Sequence, residues 1–222
     1  MSNNYSGTKA KFFESYYANG QLSQRALYKD GKRDGIYELY YKNGQLKLRA
    51  NHKNGLKDGL WERFYENGEL KERGTFKVGY KDNIWTNYYV SGQLYEKICY
   101  KIGKVDGFYE IYFKNSQLWQ KSLYRDGKRD SIYELYFKNG QLKVRSQYKN
   151  GKKHGLWERY YSSGQIELSG FFLNGKRCGT WKGYYENGYS SGHGIYKDGS
   201  KVGLWEFYRK DGRLNEKKIF EI

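Results

Sequence analysis

Lys57-Asp58-Gly59-Leu60-Trp61-Glu62-Arg63-Phe64-Tyr65-Glu66-Asn67-Gly68-Glu69-Leu70-Lys71-Glu72-Arg73-Gly74-Thr75-Phe76 holds a hairpin signal between two stretches of strand-like alternation. The pattern returns with a fixed period. Gly31, Gly55, Gly79, Gly103, Gly127, Gly151, Gly175 and Gly199 stand 24 residues apart without insertion or deletion. A second series, Gly20, Gly44, Gly68, Gly92, Ser116, Gly140, Gly164, Gly188 and Gly212, falls between them. Self-similarity at a fixed period marks a repeat array, in which each unit buries its surface against its neighbours. Each unit has two turns and two strands.

Asn67-Gly68 predicts a type I′ hairpin turn, with positive φ at both central residues, and Asn43-Gly44 and Asn139-Gly140 predict the same. Such a loop fixes the register: Arg63 faces Glu72, Glu62 faces Arg73 and Trp61 faces Gly74. The other repeats agree with it. Glu38 meets Arg49, Glu110 meets Lys121, Glu134 meets Arg145 and Glu206 meets Lys217, each pair worth about 0.2–1 kcal/mol. The ring at the Trp61 position (Tyr37, Trp61, Tyr109, Tyr133, Trp157, Trp181) faces Ala50, Gly74, Ser122, Ser146, Gly170 and Gly194 in that order. The expectation is a large ring lying over a small cross-strand neighbour, Trp61 over Gly74 and Trp157 over Gly170.

Alternation then separates two faces. Trp61, Tyr65, Leu70 and Phe76 share the packed one; Leu60, Glu62, Phe64, Lys71 and Arg73 share a mixed one. The Gly-x-x-x-Gly turn, as at Gly55/Gly59 and Gly151/Gly155, returns the chain for the next hairpin. The fold class expected is all-β, an elongated, twisted single antiparallel sheet or solenoid of about nine hairpin repeats. About 18 strands at ~4.8 Å would run to roughly 85 Å. Residues 1–26 read as an N-terminal capping hairpin in which Gly7, Phe13, Tyr16, Tyr17, Gly20 and Leu22 hold the frame. Residues 27–218 read as eight repeats, and residues 219–222 as a tail that closes the other end. Residues 27–74 resemble 123–170 more than their neighbours, as a duplicated block would. Ser116, Asn83 and Ser131 replace turn glycines, and Tyr189-Ser190-Ser191-Gly192 replaces the usual strand start; drift in a tolerant array accounts for such changes.

Composition supports a thin sheet. There is no proline, which would delete a ladder donor, and 19% of residues are aromatic, mostly tyrosine with its polar tip. The formal net charge is +17, which points to an anionic partner such as nucleic acid, an acidic membrane surface or an acidic protein, or to plain solubilisation. Cations gather at the Gly-x-x-x-Gly edge, among them Lys32, Arg33, Lys104, Lys128, Arg129, Lys152 and Lys153, and predict a positive rail. Cys99 and Cys178 lie three or more repeats apart, too far for a disulfide. Met1 to Phe13 lacks the apolar stretch of a signal peptide, and no segment approaches the ~20 apolar residues of a membrane span, which predicts a cytoplasmic protein.

Gly155-Leu156-Trp157-Glu158-Arg159-Tyr160-Tyr161 and Tyr40-Tyr41-Lys42-Asn43-Gly44-Gln45-Leu46 carry the pattern Gly-x-x-x-Gly-x-Trp-x-x-Tyr-Tyr-x-Asn-Gly-x-Leu. It resembles the MORN-type repeat, in the variant of bacterial proteins of the YwqK antitoxin family. The likeness covers essentially the whole chain; the repeats at Gly79 to Gly92 and Gly175 to Gly188 fit less well. What the resemblance implies is an antitoxin or immunity role beside a secreted nuclease-like or deaminase-like toxin. Across MORN proteins more widely it implies protein scaffolding and attachment to acidic phospholipid. It supplies no catalytic residue to carry over.

The residues give no sign of an enzyme. His52, His154 and His193 have no metal-ligand spacing; His52 takes the aromatic position of Phe76 and Tyr148, His154 reads as a turn residue and His193 as a polar-face one. No Cys-x-x-Cys, phosphate loop or Gly-x-Ser-x-Gly element is present. The recurring carboxylates are matched to cross-strand cations, which keeps them ionised and unsuited to general acid work. No cofactor or metal is expected. The binding residues expected are Tyr40, Phe64, Tyr88, Tyr112, Tyr136, Tyr160, Tyr184 and Tyr208 on the mixed face, with Arg49, Arg73 and Arg145 nearby, because Tyr and Arg dominate interface hot spots. The partner expected is a protein toxin, bound by a chain that is monomeric on its own. The competing reading is nucleic acid or acidic phospholipid along the basic rail, where salt-sensitive attraction would dominate. A scaffold or envelope adhesin is a third, set against the missing signal peptide.

Overall fold

Asn54-Gly55 and Asn67-Gly68 have the same letters and make different turns. In the computed structural model, which describes residues 9–221, Asn54 and Gly55 both have positive φ, 51° and 85°, and Lys53 pairs directly with Leu56. That is the two-residue primed turn, and it recurs at the Gly31 series. At the other series only the glycine is left-handed: Gly68 has φ 87° while Asn67 is not among the positive-φ residues. Gly68 N–H bonds Tyr65 O at 3.0 Å and Tyr65 N–H bonds Glu69 O at 2.8 Å, so Glu66-Asn67 are the turn centre and Gly68 begins a bulge. The type I′ turns expected at Asn43-Gly44, Asn67-Gly68 and Asn139-Gly140 are therefore corrected.

Away from the turn the strand register nevertheless matches the expected one, although Leu70, expected opposite Tyr65, pairs with Phe64. Beyond the turn Phe64 pairs with Leu70, and a second irregularity follows before Arg63 pairs with Glu72, Glu62 with Arg73 and Trp61 with Gly74. Two extra residues on the returning strand restore the alignment that a tighter loop centred one residue later would have given. The asparagine has another task. Asn43 Oδ1 accepts Gln45 N–H at 3.0 Å and its Nδ2 donates to Glu66 O at 3.0 Å, tying one hairpin tip to the next. Tyr41 Oη does the same to Phe64 O at 2.9 Å, and Tyr161 Oη to Tyr184 O at 2.9 Å.

Two units follow from these hairpins, residues 1–104 and 105–222. The first holds β1 (Lys11–Tyr16), β2 (Leu22–Lys29), β3 (Lys32–Tyr40), β4 (Leu46–Lys53), β5 (Leu56–Phe64), β6 (Leu70–Lys77), β7 (Tyr80–Tyr88) and β8 (Leu94–Lys101). The second holds β9 (Lys104–Tyr112), β10 (Leu118–Arg125), β11 (Lys128–Tyr136), β12 (Leu142–Lys149), β13 (Lys152–Tyr160), β14 (Ile166–Leu173), β15 (Lys176–Tyr184), β16 (Ser190–Lys197), β17 (Ser200–Tyr208) and β18 (Leu214–Phe220). Within each unit consecutive strands pair antiparallel. The fold class is an all-antiparallel-β solenoid of 24-residue hairpin repeats. Gly7 and Ile222, expected at the two caps, lie outside the described residues.

The core is one face of the sheet. Trp61, Phe76, Trp85 and Tyr100 form an edge-on column in the first unit, with ring centroids 5.3, 5.0 and 6.3 Å apart. Phe172, Trp181, Tyr196 and Trp205 do so in the second, at 5.3, 5.6 and 5.1 Å. Such pairs add about 0.5–1.5 kcal/mol each beyond their burial. The ring over Gly74 is not Trp61, as expected, but Trp85 on the following strand: a Cβ at Gly74 would fall inside the Trp85 indole. Gly170 is covered by Trp181 in the same way, and Gly194 by Trp205. Trp61 and Trp157 are backbone partners of Gly74 and Gly170, but each ring belongs to the gap before it, where Ala50 and Ser146 leave less room. Trp85 and Trp181 are accordingly fully buried, Trp61 and Trp157 only partly.

Candidate functional site

Strand alternation puts Glu38 and Tyr40 of β3 on the face opposite the indoles. Tyr40 Oη donates to Glu38 Oε2 at 2.7 Å. The same bond recurs from Tyr112 to Glu110 at 2.8 Å, Tyr136 to Glu134 at 2.7 Å and Tyr160 to Glu158 at 2.7 Å. The other carboxylate oxygen takes a cation from the paired strand. Arg49 Nε lies 3.0 Å from Glu38 Oε1, its Nη1 reaches Glu62 at 3.9 Å, and Glu62 meets Arg73 at 3.5 Å. Arg145 Nε lies 3.2 Å from Glu134, and Lys217 Nζ 2.7 Å from Glu206. Glu110 and Lys121 are paired in the ladder.

The carboxylates lie deep and the guanidinium groups stand outward, so the ladder presents cations rather than anions. Burial, and then the bond to the adjacent glutamate, push the hydroxyls of Tyr40, Tyr112, Tyr136 and Tyr160 up to about 12. These phenols are half-buried and their protons are committed within the chain. At the equivalent positions Phe64 follows Glu62 but has no hydroxyl to donate, Tyr88 and Tyr184 follow Thr86 and Lys182 in place of the glutamate, and the carbonyls of all three receive the inter-repeat tyrosine bonds.

Beside this ladder runs an apolar row that the sequence reading did not single out. Ile36 and Ile84 in the first unit, and Phe171, Ile195, Leu204 and Ile219 in the second, are exposed on the same face. Leu204 pairs with Ile219 and Leu156 with Phe171. A hollow of about 530 Å³ lined by Leu60, Arg73, Ile84 and Thr86 opens here. The available signal was an apolar residue two positions before the glutamate, as in Ile36-Tyr37-Glu38 and Leu204-Trp205-Glu206. Its exposure depends on no second layer among the described residues covering it, which no local pattern reveals.

The basic edge is split by alternation. Lys32, Lys104, Lys128 and Lys152 open their strands and are exposed. Arg33, Arg129 and Lys153, one residue on, turn to the opposite face. Arg33 sits 4.1 Å from the Tyr37 centroid, Arg129 4.7 Å from Tyr133, and Lys153 5.0 Å from Phe172. Burial, then Arg177, lowers the Lys153 ammonium. Rings and rail therefore meet wherever the second cation folds over the aromatic column.

His52 is buried edge-on to Tyr37 at 5.6 Å. His154 belongs to β13 rather than to a turn, and His193 stacks on Tyr208 and lies 3.4 Å from Glu206. Among the described residues no group of three or more His, Cys, Asp or Glu side chains is placed to hold a metal ion. The family model described as MORN repeat variant matches residues 13–30, 33–54, 57–77, 81–101, 129–150, 153–174 and 177–198. Comparison with curated proteins finds no match. The hairpin β9–β10, outside the matched segments, keeps the same register, with Glu110 on Lys121 and Tyr109 on Ser122.

Proposed function

The chain belongs to the MORN repeat variant family and is a non-catalytic repeat module, and from that premise we propose that its ladder face binds a protein partner, a toxin that it neutralises by direct contact in the cytoplasm. One observation carries the reading: an exposed apolar row lies beside outward guanidinium groups on a face that no other layer of the described residues covers. Apolar area provides affinity and Arg provides directed hydrogen bonds, the composition of an interface centre. The likeness of the repeat to YwqK-type antitoxins supports the choice of a toxin. Tyr40, Tyr112, Tyr136 and Tyr160 contribute as rigid ring surface, since their hydroxyls are already bonded.

The basic rail is the weaker alternative for nucleic acid or acidic phospholipid, because Arg33, Arg129 and Lys153 are occupied by rings. Co-expression with toxin-like proteins encoded beside this one, scored by growth, tests the reading. Tyr112→Ala and Tyr136→Ala, with strand circular dichroism retained, should weaken binding about tenfold or more. Lys128→Glu with Lys152→Glu should mainly slow association, with a loss that shrinks at high salt. Silent tyrosine variants together with abolished binding on charge reversal would move the working surface to the rail.

A further inference from the structure

At the primed turns the residue before glycine is left-handed, and Asp or Asn occupies it at positions 30, 54, 126, 150, 174 and 198. Two turns of the first unit break the rule. Val78 has φ 49° and Ile102 φ 48°, a conformation that β-branched side chains adopt only under strain. Burial does not offset it, since Val78 is 56% exposed and Ile102 65%. The position after the glycine changes too. Lysine stands there at 32, 104, 128, 152 and 176, but the first unit has Leu56, 51% exposed, and Tyr80, 57% exposed.

Val78, Tyr80 and Ile102 line one cleft, and Leu56 lies beside the turn at Gly79. A Cβ at Gly79 would touch Leu56 and one at Gly103 would touch Tyr80, so each lies across the next turn. The cleft has a volume of about 410 Å³ and is completed by Lys77, Asp82 and Lys101. The Asp82 carboxylate is occupied by the Ile102 amide at 3.4 Å. Lys77 and Lys101 are exposed and make none of the ion pairs found among the described residues. Strain and exposed apolar surface, concentrated where every local rule favours a polar turn, mark a place kept for contact.

We propose that this turn edge is a second docking surface, for a polypeptide segment that inserts an apolar side chain into the cleft and sets carboxylates against Lys77 and Lys101. A second copy of the chain is disfavoured by its own charge of +17. An anionic bilayer is disfavoured because the surface is concave and contains the Asp82 carboxylate, whereas membrane insertion uses a protruding wedge. The inference stands apart from the ladder-face reading, because it concerns the turn edge and needs no toxin.

The test restores the chain's own repeat letters: Leu56→Lys, Val78→Asn, Tyr80→Lys and Ile102→Asn together. This variant should fold and melt no lower than the parent, since Asn accepts the left-handed turn. Random twelve-residue peptides displayed on phage are selected on the full chain, and synthetic copies of the enriched ones are titrated by fluorescence anisotropy. Enriched peptides should carry an aromatic or aliphatic residue flanked by Asp or Glu. They should bind the variant at least about tenfold more weakly, although the variant is more basic, and bind Tyr136→Ala like the parent. The proposal is overturned by no enrichment, by peptides without carboxylates, or by equal binding to the variant. It is also overturned if the variant instead loses binding to phosphatidylserine–phosphatidylcholine vesicles, or loses self-association in sedimentation velocity.

Discussion

His52 stands in a row otherwise filled by rings: Tyr28, Phe76 and Tyr100 occupy the same position in neighbouring repeats. It packs as they do, but its buried Nδ1 has no hydrogen-bond partner. Burial, then the charges of Arg33 and Lys57, lower its pKa below the usual histidine range. The unfolded chain therefore takes up a proton near pH 6.5 that the folded chain refuses. Stability present above that pH is lost as pH falls through the lowered folded value. His52→Phe should raise stability by about 1 kcal/mol at neutral pH by removing an unsatisfied polar atom, and by more at pH 5. Urea midpoints of both proteins at the two pH values check it; an advantage that shrinks in acid would contradict it. Sequence position alone identified His52 as a packing residue. It did not reveal the unpaired nitrogen, which depends on which carbonyls the surrounding turns bring near.

Within a strand pair, the tyrosine–glutamate–arginine ladder couples side-chain ionisation to the fold. Tyr40, Tyr112, Tyr136 and Tyr160 are held up to about 12 against an ordinary value of 10.0. Their neutral forms thus favour the folded state fully below pH 10, and that contribution disappears as pH rises from 10 to about 12. Tyrosinate absorbance should show a late-ionising class, absent in urea. Glu134→Gln should move Tyr136 down only in part, since burial is the larger cause; an unchanged titration would mean that the carboxylate has no influence. The charge pairs of this ladder were legible because opposite charges recur at a fixed offset. The Asn-Gly turns were misread because the reading assigned asparagine to backbone conformation, whereas its amide reaches a carbonyl 23 residues on, in the next hairpin. Which ring covers which glycine was also hidden, because each small residue lies between two candidate rings and pairing alone does not say which one leans over it.

Within each unit, the substantial strand contacts among the described residues join consecutive strands, so stability is a sum of repeat and neighbour terms. The cut points follow from the frame. Deleting Arg129–Lys152 joins Lys128 to Lys153, and β13 then follows β10 with Glu158 in the place of Glu134 and Trp157 in the place of Tyr133. Every side chain at the new junction has an equivalent in the parent. Deleting only Arg129–Gly140 brings β12 into the place of β11; β12 has no carboxylate and, counted from the junction, puts Arg145 where Tyr133 stood and Ser146 where Glu134 stood. Ser122 loses its cover, and Lys121 loses its partner and meets a strand carrying Lys143 and Arg145. The 24-residue deletion should keep strand circular dichroism and cooperative urea unfolding, with the m-value reduced by about a tenth in proportion to the surface removed. The shorter deletion, although it removes less chain, should unfold at lower urea or without cooperativity. Equal stability of the two would show that the unit of this array is the single strand, and that the indole and charge rows on its two faces do not set its register.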